Sequence, residues 1–355
     1  METGVSVEQG WGRTGDGAPV ARWVLDDGTV RVGLLEHGAR LQSVVTPDRD
    51  GKRADILLGF ADLDTYAGKG RSFGATIGRF ANRIAGGRFT LDGHTYSIPV
   101  TDRGNAIHGG PHPFSELLWT SHEIPGRCGV RFSLLSPDGD NGFPGALSVH
   151  VSYVLADGAL SVESYATTDA PTVLNLTNHA YWNLAGDGSA TVDAHLVQVA
   201  SPTFLPVDET GLPTGEFRSV AGTPFDLREP VPVAYRVEQD DEQLRRGKGF
   251  DHCFVLADVA GGARPMSFAA RVEEPVSGRV LEVRTDQPGI QLFTGGSLAG
   301  TLVGKGGVAY GPRAGLALEA QGMPDAPNHH EFPSTVLRAG EEFHSVTVFG
   351  FGLAR

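Results

Sequence analysis

Two segments of the chain carry the pattern of β-hairpins, and they constrain the fold more than any other feature. In ALSVHVSYVLADGALSVESYATT (146–168), apolar residues alternate with mostly polar ones on both sides of a central Asp-Gly pair. RFTLDGHTYSIPV (88–100) repeats the arrangement with shorter arms. Alternation with a period of two is typical of half-buried strands, and Asp-Gly favours the tight turn between antiparallel strands. We therefore expect an antiparallel sheet with one face on a core and the other facing solvent or a ligand.

Glycine and proline support the same fold class. With 49 glycines and 22 prolines among 355 residues, they make up one fifth of the chain. Inside a helix they cost about 1 and about 3 kcal/mol per site, whereas between short strands they are well tolerated. Helical periodicity is confined to 60–67 and 240–246, where we expect a turn or two of helix. No linker, repeat or charge block divides the chain, so we predict one all-β antiparallel domain over 21–355, a sandwich or barrel-like stack, preceded by a loose tail or edge strand at 1–20.

The net charge of −13 limits the classes of partner. An acidic chain without a basic patch repels phosphate backbones, so we expect no nucleic-acid binding. No run of 18 uncharged apolar residues is present, so we expect no membrane span. Residues 1–15 lack the apolar segment of a secretory signal, and two cysteines, Cys128 and Cys253, suit a reducing compartment. These features predict a cytoplasmic protein.

The sequence contains no motif that requires a metal or cofactor. GxSxG, GxxxxGK[ST], HExxH and a strand-linked GxGxxG are all missing. His108 and His112 have the spacing of a helical metal pair, but Gly-Gly-Pro between them prevents a helix. In Asp251-His252-Cys253, an extended strand directs His252 away from the other two, so Asp251 or His252 acting alone is the better hypothesis. We expect neither metal nor cofactor.

Two histidines lie in segments suited to a ligand site. His108 belongs to NAIHGGPH (105–112), where glycines let the backbone approach a ligand and leave the imidazole uncrowded. His179 belongs to NLTNHAYWN (175–183), a segment rich in hydrogen-bonding and aromatic side chains. A satisfied structural role is equally open for His179.

Glu319 interrupts the apolar run AGLALEA (314–320). A carboxylate in a buried strand costs several kcal/mol unless a partner pairs with it or a function uses it. Glu319 and Ala317 share one face of the strand, which makes that face a candidate pocket wall. Arg79 and Arg83 are candidate partners for Glu319, and a role in surface ion pairs is the alternative. Local spacing alone does not show whether these groups meet the two histidines.

Eight segments in order resemble the aldose 1-epimerase family, also called galactose mutarotases. They run through nearly the whole chain: GRFANRIAGGRFTLDG (78–93), NAIHGG (105–110), NGFPG (141–145), NLTNHAYWNLAG (175–186), FDHCF (250–254), QPGIQLFTG (287–295), LALEAQGMPDAPN (316–328) and FPSTVLRAGE (332–341). The resemblance implies a large antiparallel β-sandwich, the galactose mutarotase-like supersandwich, with few short helices. It also implies cofactor-free interconversion of the α and β anomers of free hexoses such as glucose and galactose.

The resemblance also implies roles for individual residues. Glu319 would be the general base that takes the proton of the anomeric hydroxyl, and His179 the general acid that protonates the ring oxygen. That division of labour implies an ionised Glu319 and a protonated His179. His108 would hold the sugar or help polarise the ring oxygen. The residues that would bind the sugar are Asn82, Arg83, His108, Tyr181, Asp251 and Gln291.

The partner implied by the resemblance is a small aldose, bound by a monomer or weak homodimer. Two other functions stay open. A hexose-6-phosphate 1-epimerase would offer extra Lys or Arg to the phosphate. A non-catalytic sugar-binding module would not need a matched acid and base, so the presence of both histidines and the glutamate counts against it. The chain departs from the family pattern at Trp182 and at Gly322-Met323, which we expect beside the site and relevant to sugar preference.

Overall fold

The computed structural model describes residues 4–189, 191–256 and 265–354. Strands dominate this part of the chain, as the all-β prediction requires, and its helices are short. The α-helices are Leu63–Ala67, Val233–Val237 and Glu242–Gly247, and the 3-10 turns are Ala85–Gly87, Phe114–Glu116, Asp140–Gly142 and Ala326–Asn328. The first and third α-helices lie where short helices were predicted. The second was missed because it has no N-cap side chain to signal its start. None of the described helices is long and apolar enough to cross a membrane.

Three antiparallel sheets form the body of the described chain. The first sheet has the strand order Gly4–Arg13, Pro19–Asp26, Arg31–Leu35, Arg40–Pro47 and Arg53–Asp55. The large sheet has the order Thr120–Glu123, Gly129–Ser136, Leu147–Ala156, Ala159–Thr168, Phe343–Leu353, Arg279–Thr285, Ser267–Glu273, Leu196–Val199 and Val231–Pro232. The site sheet has the order Tyr181–Trp182, Leu316–Gln321, Gly289–Phe293, Asp251–Val255, Thr203–Phe204 and Arg218–Ser219.

Short strand pairs connect these sheets. They are Arg83–Ile84 with Ala106–Ile107, Thr172–Val173 with Val336–Leu337, Thr76–Ile77 with Thr177–Asn178, and Arg88–Leu91 with His94–Ser97. The last pair is the shorter predicted hairpin. The segment at the chain start, within the stretch expected as a tail or edge strand, forms the outer strand of the first sheet, and residues 1–3 lie outside the described residues.

Both hairpin predictions are confirmed, and the turn residues explain why. Asp157 and Gly158 have φ values of 50° and 74°, and Asp92 and Gly93 have 50° and 81°. Positive φ at both central residues defines the turn whose twist matches paired strands, and Asp and Gly tolerate it best. In the longer hairpin, Ala156 pairs directly with Ala159.

The main core lies between the large sheet and the site sheet, which confirms the sandwich. Val149 and Val151 of the large sheet belong to the same buried cluster as Leu316 and Leu318 of the site sheet. Because strand residues alternate between faces, this packing turns Ala317 and its neighbour Glu319 to the opposite face. The core thus determines which face of the site sheet is available for chemistry.

Candidate active site

A cavity of about 480 Å³ opens on the face of the site sheet that is turned away from the main core. Its volume is in the range of sites for small organic molecules. Its polar walls bring together six of the residues singled out from the sequence: Asn82, Arg83, His108, His179, Asp251 and Glu319. Tyr181 and Phe293 add aromatic surface. Segments more than 200 residues apart therefore meet in one cavity.

The register of the site sheet arranges the residues of its cavity-side face in two rows. Residues directly opposite each other on antiparallel strands share a face. The first row is Tyr181, Ala317, Phe293 and Asp251. The second row, two residues further along each strand, is Glu319, Gln291 and Cys253. The alternation that buries Leu318 in the core thus places Glu319 on the cavity side, in the row next to Tyr181 and Phe293.

Glu319 and His179 form the most buried contact between two ionisable side chains of the cavity. His179 Nε2 lies 3.6 Å from Glu319 Oε1, and the two side chains are 6% and 3% exposed. The His179 ring stacks on Tyr181 at a centroid distance of 4.8 Å, and its backbone N–H donates to the Ala75 carbonyl. His179 Nδ1 and Glu319 Oε2 have no hydrogen-bond partner among the described residues. Such buried, unpaired atoms are rare, and here they leave an imidazole nitrogen and a carboxyl oxygen available to a ligand.

Burial changes the protonation of this pair. Burial, with the nearby charge of Asp251, raises the pKa of Glu319 well above its usual value, and Arg83 opposes the effect. Burial also lowers the pKa of His179 to about 4. Both groups thus favour their neutral forms in this cavity. The expected resting state, with Glu319 ionised and His179 protonated, is wrong because burial disfavours both charges.

His108 is held against the other wall by Asn82. The Asn82 backbone N–H donates to the ring nitrogen Nδ1 of His108 at 3.2 Å, and the backbone N–H of His108 donates to the Asn82 carbonyl at 3.0 Å. The second ring nitrogen of His108 is left for a ligand, and its ring lies edge-on to His179 at 5.4 Å. Burial lowers the pKa of His108 well below its usual value, and the charges of His179 and Arg83 add to this effect. His108 is therefore a neutral hydrogen-bonding group.

Gly109 has a different role from the one expected. It has a φ of 91°, and a Cβ there would lie 2.1 Å from the Gly78 carbonyl oxygen. This glycine allows two backbone segments to touch, which fixes the turn that carries His108.

Asp251 is held by its neighbours on the sheet. Gln291 Nε2 donates to Asp251 Oδ1 at 2.7 Å, while Gln291 Oε1 has no partner among the described residues. Gln291 does not itself line the cavity. On the opposite wall, Arg83 Nε and Nη2 each lie 2.9 Å from Asp102 Oδ2. The cavity thus presents a fixed carboxylate and a fixed guanidinium to polar groups of a ligand.

The structure separates the two arginines that were candidate partners of Glu319. Arg79 is buried and donates to the carbonyls of Pro144 and Gly145 and to the hydroxyl of Ser136. It does not line the cavity, so its role is to tie loops together. Arg83 does line the cavity, and its ion pair joins a buried guanidinium to the partly exposed Asp102.

Two histidines whose spacing resembles that of metal ligands, His252 and His112, have other surroundings. His252 Nε2 lies 3.2 Å from Gln243 Oε1, and its ring packs edge-on against Phe225 at 4.7 Å. His112 is exposed. Within the described ranges, no group of three or more His, Cys, Asp or Glu side chains is placed to hold a metal ion.

The two departures from the family pattern lie outside the cavity. Trp182 is fully buried and packs against Phe349 and Phe351, on the opposite face from Tyr181. Met323 is fully buried in a small cluster with Leu205. Neither side chain lines the cavity.

Sequence reasoning missed a second group of cavity residues. They are Ser72, Phe293, Ser297, Arg103, Arg246 and Lys248. Phe293 carried a usable signal, because it follows Gln291 by two residues in a strand. The charged members come from a turn and from the end of a helix, where no periodic pattern marks a shared site.

Comparisons with known proteins find relatives over nearly the whole chain. The family model described as aldose 1-epimerase matches residues 21–350. The galactose mutarotase of Homo sapiens is 44% identical over 338 residues, which cover 95% of this chain and 96% of the relative. The aldose 1-epimerase of Escherichia coli (strain K12) is 40% identical over 323 residues, covering 90% and 91%. The crystal structure of galactose 1-epimerase from Lactobacillus acidophilus NCFM superposes with a TM-score of 0.86 at 26% identity, covering 100% of both chains.

Proposed function

The chain belongs to the aldose 1-epimerase family and interconverts aldose anomers, and on that premise we propose that Glu319 and His179 perform its proton transfers. The observation that carries this assignment is their contact of 3.6 Å in a buried cavity. The hydroxyl oxygen and the ring oxygen of an aldose are bonded to the same carbon, C1. An acid and a base that serve both oxygens must therefore be neighbours, as these two residues are.

The reaction follows from this placement. Glu319 takes the proton of the C1 hydroxyl while His179 gives a proton to the ring oxygen, and the bond between C1 and the ring oxygen breaks. Rotation about the C1–C2 bond presents the other face of the aldehyde. Ring closure then returns one proton to His179 and takes the other from Glu319, so the pair is restored and the anomer is inverted.

The raised and lowered pKa values fit this cycle when the pair is counted as one unit. A neutral Glu319 beside a neutral His179 contains the same single proton as an ionised Glu319 beside a protonated His179. The charged arrangement begins ring opening, and the neutral arrangement is its product. Because burial favours the neutral arrangement, a proton passes from Glu319 to His179 before ring opening begins.

We assign sugar binding to the polar groups around this pair. Asp251, supported by Gln291, accepts a sugar hydroxyl, while Arg83 and Asn82 donate to others. Tyr181 provides an apolar wall for the ring carbons. The remaining ring nitrogen of His108 hydrogen-bonds the sugar near the acetal; these five binding roles are those the family resemblance implies, whereas Gln291, also expected to bind the sugar, supports Asp251 from outside the cavity lining.

Some properties follow from weaker support. A single domain over 21–355 is our proposal because Asn82 and Glu319 line one cavity. A cytoplasmic location fits the free cysteines Cys128 and Cys253. A monomer or weak homodimer is sufficient, because this one chain supplies both the acid and the base.

Freshly dissolved α-D-galactose and α-D-glucose are expected to reach their equilibrium rotation faster with the protein than without it. Polarimetry at micromolar protein measures this rate, with heat-denatured protein as the control. Lack of acceleration with either sugar would refute the activity. Calorimetric sugar binding without acceleration would identify a binding module instead, and a faster rate on glucose 6-phosphate than on glucose would identify a phosphosugar epimerase.

The value of kcat is expected to stay nearly constant from about pH 5 to above pH 6.5, the ordinary pKa of histidine. The pair gains a second proton only below about pH 4, where His179 titrates, and the raised pKa of Glu319 retains the single proton at higher pH. Ordinary side chains would instead hold the active charged pair only between about pH 4.3 and pH 6.5. Polarimetric rates corrected for the buffer reaction give this profile. A steep fall of kcat above pH 6.5 would show that His179 titrates as an exposed histidine.

A further inference from the structure

The cavity has more positive charge than a neutral hexose needs. Besides Arg83, it is lined by Arg103, Arg246 and Lys248, whereas its acidic lining residues are Asp102, Asp251 and Glu319. The excess stands out because the whole chain has a net charge of −13. In a concave site such a charge attracts anions and raises their local concentration.

Lys248 is the uncompensated member of this group. Arg103 Nε lies 3.4 Å from Asp102, and Arg246 Nη2 lies 3.0 Å from Glu209 and 2.6 Å from Glu242. Lys248 forms no ion pair with any described residue, and its side chain is exposed. One positive charge at the cavity therefore has no internal partner.

The backbone at Lys248 is costly for a lysine. It caps the helix Glu242–Gly247 with φ 55° and ψ 44°, a left-handed conformation that glycine or asparagine adopts more easily. The position is also fixed, because a Cβ on Gly296 would lie 1.8 Å from the Lys248 carbonyl oxygen. A strained residue at a ligand cavity suggests that its side chain has a function.

We propose that the cavity also accepts hexuronates, the aldoses in which C6 is a carboxylate, and that Lys248 binds this carboxylate. The proposal rests on the proposed function, because it requires the acetal of the sugar to lie at Glu319 and His179. That pair is deeply buried, so the remaining ring substituents point to the exposed part of the cavity, where Lys248 and the two arginines lie. The same acid and base then interconvert the uronate anomers.

The surrounding acids favour a carboxylate over a phosphate. Asp102 lines the cavity. Glu209 and Glu242 form ion pairs with Arg246, which also lines the cavity. A phosphate with nearly two negative charges is repelled more strongly by these acids than a carboxylate with one. The single charge of a carboxylate matches the single charge of Lys248, the cation of the lining that has no ion pair with a described residue, whereas Arg83 and Arg103 share Asp102.

α-D-galacturonate and α-D-galactose are the matched substrates for the test, since they differ only at C6. We expect polarimetry to show accelerated mutarotation of both. In Lys248→Gln, the ratio of kcat/KM for galacturonate to kcat/KM for galactose is expected to fall about 10-fold, the usual scale for a charged hydrogen bond. Lys248→Arg should keep most of the ratio. Lys52→Gln removes an exposed lysine that does not line the cavity and should leave the ratio unchanged.

The outcomes separate this proposal from the catalytic one. Acceleration of galactose without acceleration of galacturonate overturns the uronate proposal alone. Acceleration of both with an unchanged ratio in Lys248→Gln overturns the role of Lys248. Failure with both sugars overturns the activity itself. A second pair of substrates, glucose 6-phosphate and glucuronate, checks the choice of anion: a kcat/KM for glucose 6-phosphate above that for glucuronate would assign the charge to phosphate.

Discussion

Glu319→Gln is expected to lower kcat for galactose mutarotation by about 100-fold or more, the usual scale of a lost general base. The amide has the size of the carboxylate, so it fits the buried strand position opposite Gln291. It cannot take the proton of the C1 hydroxyl, and it cannot share a proton with His179. KM should change much less than kcat, because Glu319 acts on the proton that moves during the reaction. Initial polarimetric rates over a range of galactose concentrations give both constants.

Glu274→Gln is the matched control for this variant. Glu274 is also buried, but it accepts hydrogen bonds from the backbone N–H groups of Val276 and Ser277 and does not line the cavity. It should retain the wild-type kcat. A Glu319→Gln variant with full activity and an unchanged melting temperature would assign the base to another residue.

His179→Asn is expected to lower kcat by a similar factor of about 100, because asparagine cannot donate a proton to the ring oxygen. The double variant with Glu319→Gln provides a sharper test. Since the two residues work as one proton-sharing unit, the double variant should lose little more activity than either single variant. Independent roles would instead multiply the two losses.

His150→Asn is the control for the histidine change. His150 lies on the large sheet, hydrogen-bonds the Ser133 hydroxyl and is remote from the cavity lining. Its substitution should leave kcat and KM at wild-type values. A folded His179→Asn protein with near-normal kcat would contradict the assignment and leave His108 as the next candidate for the acid.

Much of the fold was predictable because its signals are local. The alternation along 146–168 and its Asp-Gly turn act within a few residues, and the structure shows that hairpin at the predicted position. Glu319 was also detectable, because a carboxylate in an apolar run needs an explanation wherever the run packs. Both inferences depend only on strand geometry and on the cost of burying charge.

The meeting of these residues was not predictable from local pattern. Glu319 and His179 approach each other because separate strands pair in one register and because Leu316 and Leu318 are buried in the core on the opposite face of the strand. Only the family resemblance placed them in one site beforehand. Their pKa directions were also out of reach, since these depend on a depth of burial that no short segment encodes. Lys248 was not predicted as a site residue because the end of a helix has no periodic pattern that marks it.

The two rows of residues on the cavity-side face of the site sheet tie chemical activity to correct strand pairing. A shift of one residue in the pairing of Leu316–Gln321 with Gly289–Phe293 would exchange the faces of Leu318 and Glu319. Such a molecule would have a leucine in place of its base and a carboxylate in its core. Specific activity after refolding from denaturant therefore counts the molecules that have found the native register, and this enzyme can serve as its own assay for errors in β-sheet assembly.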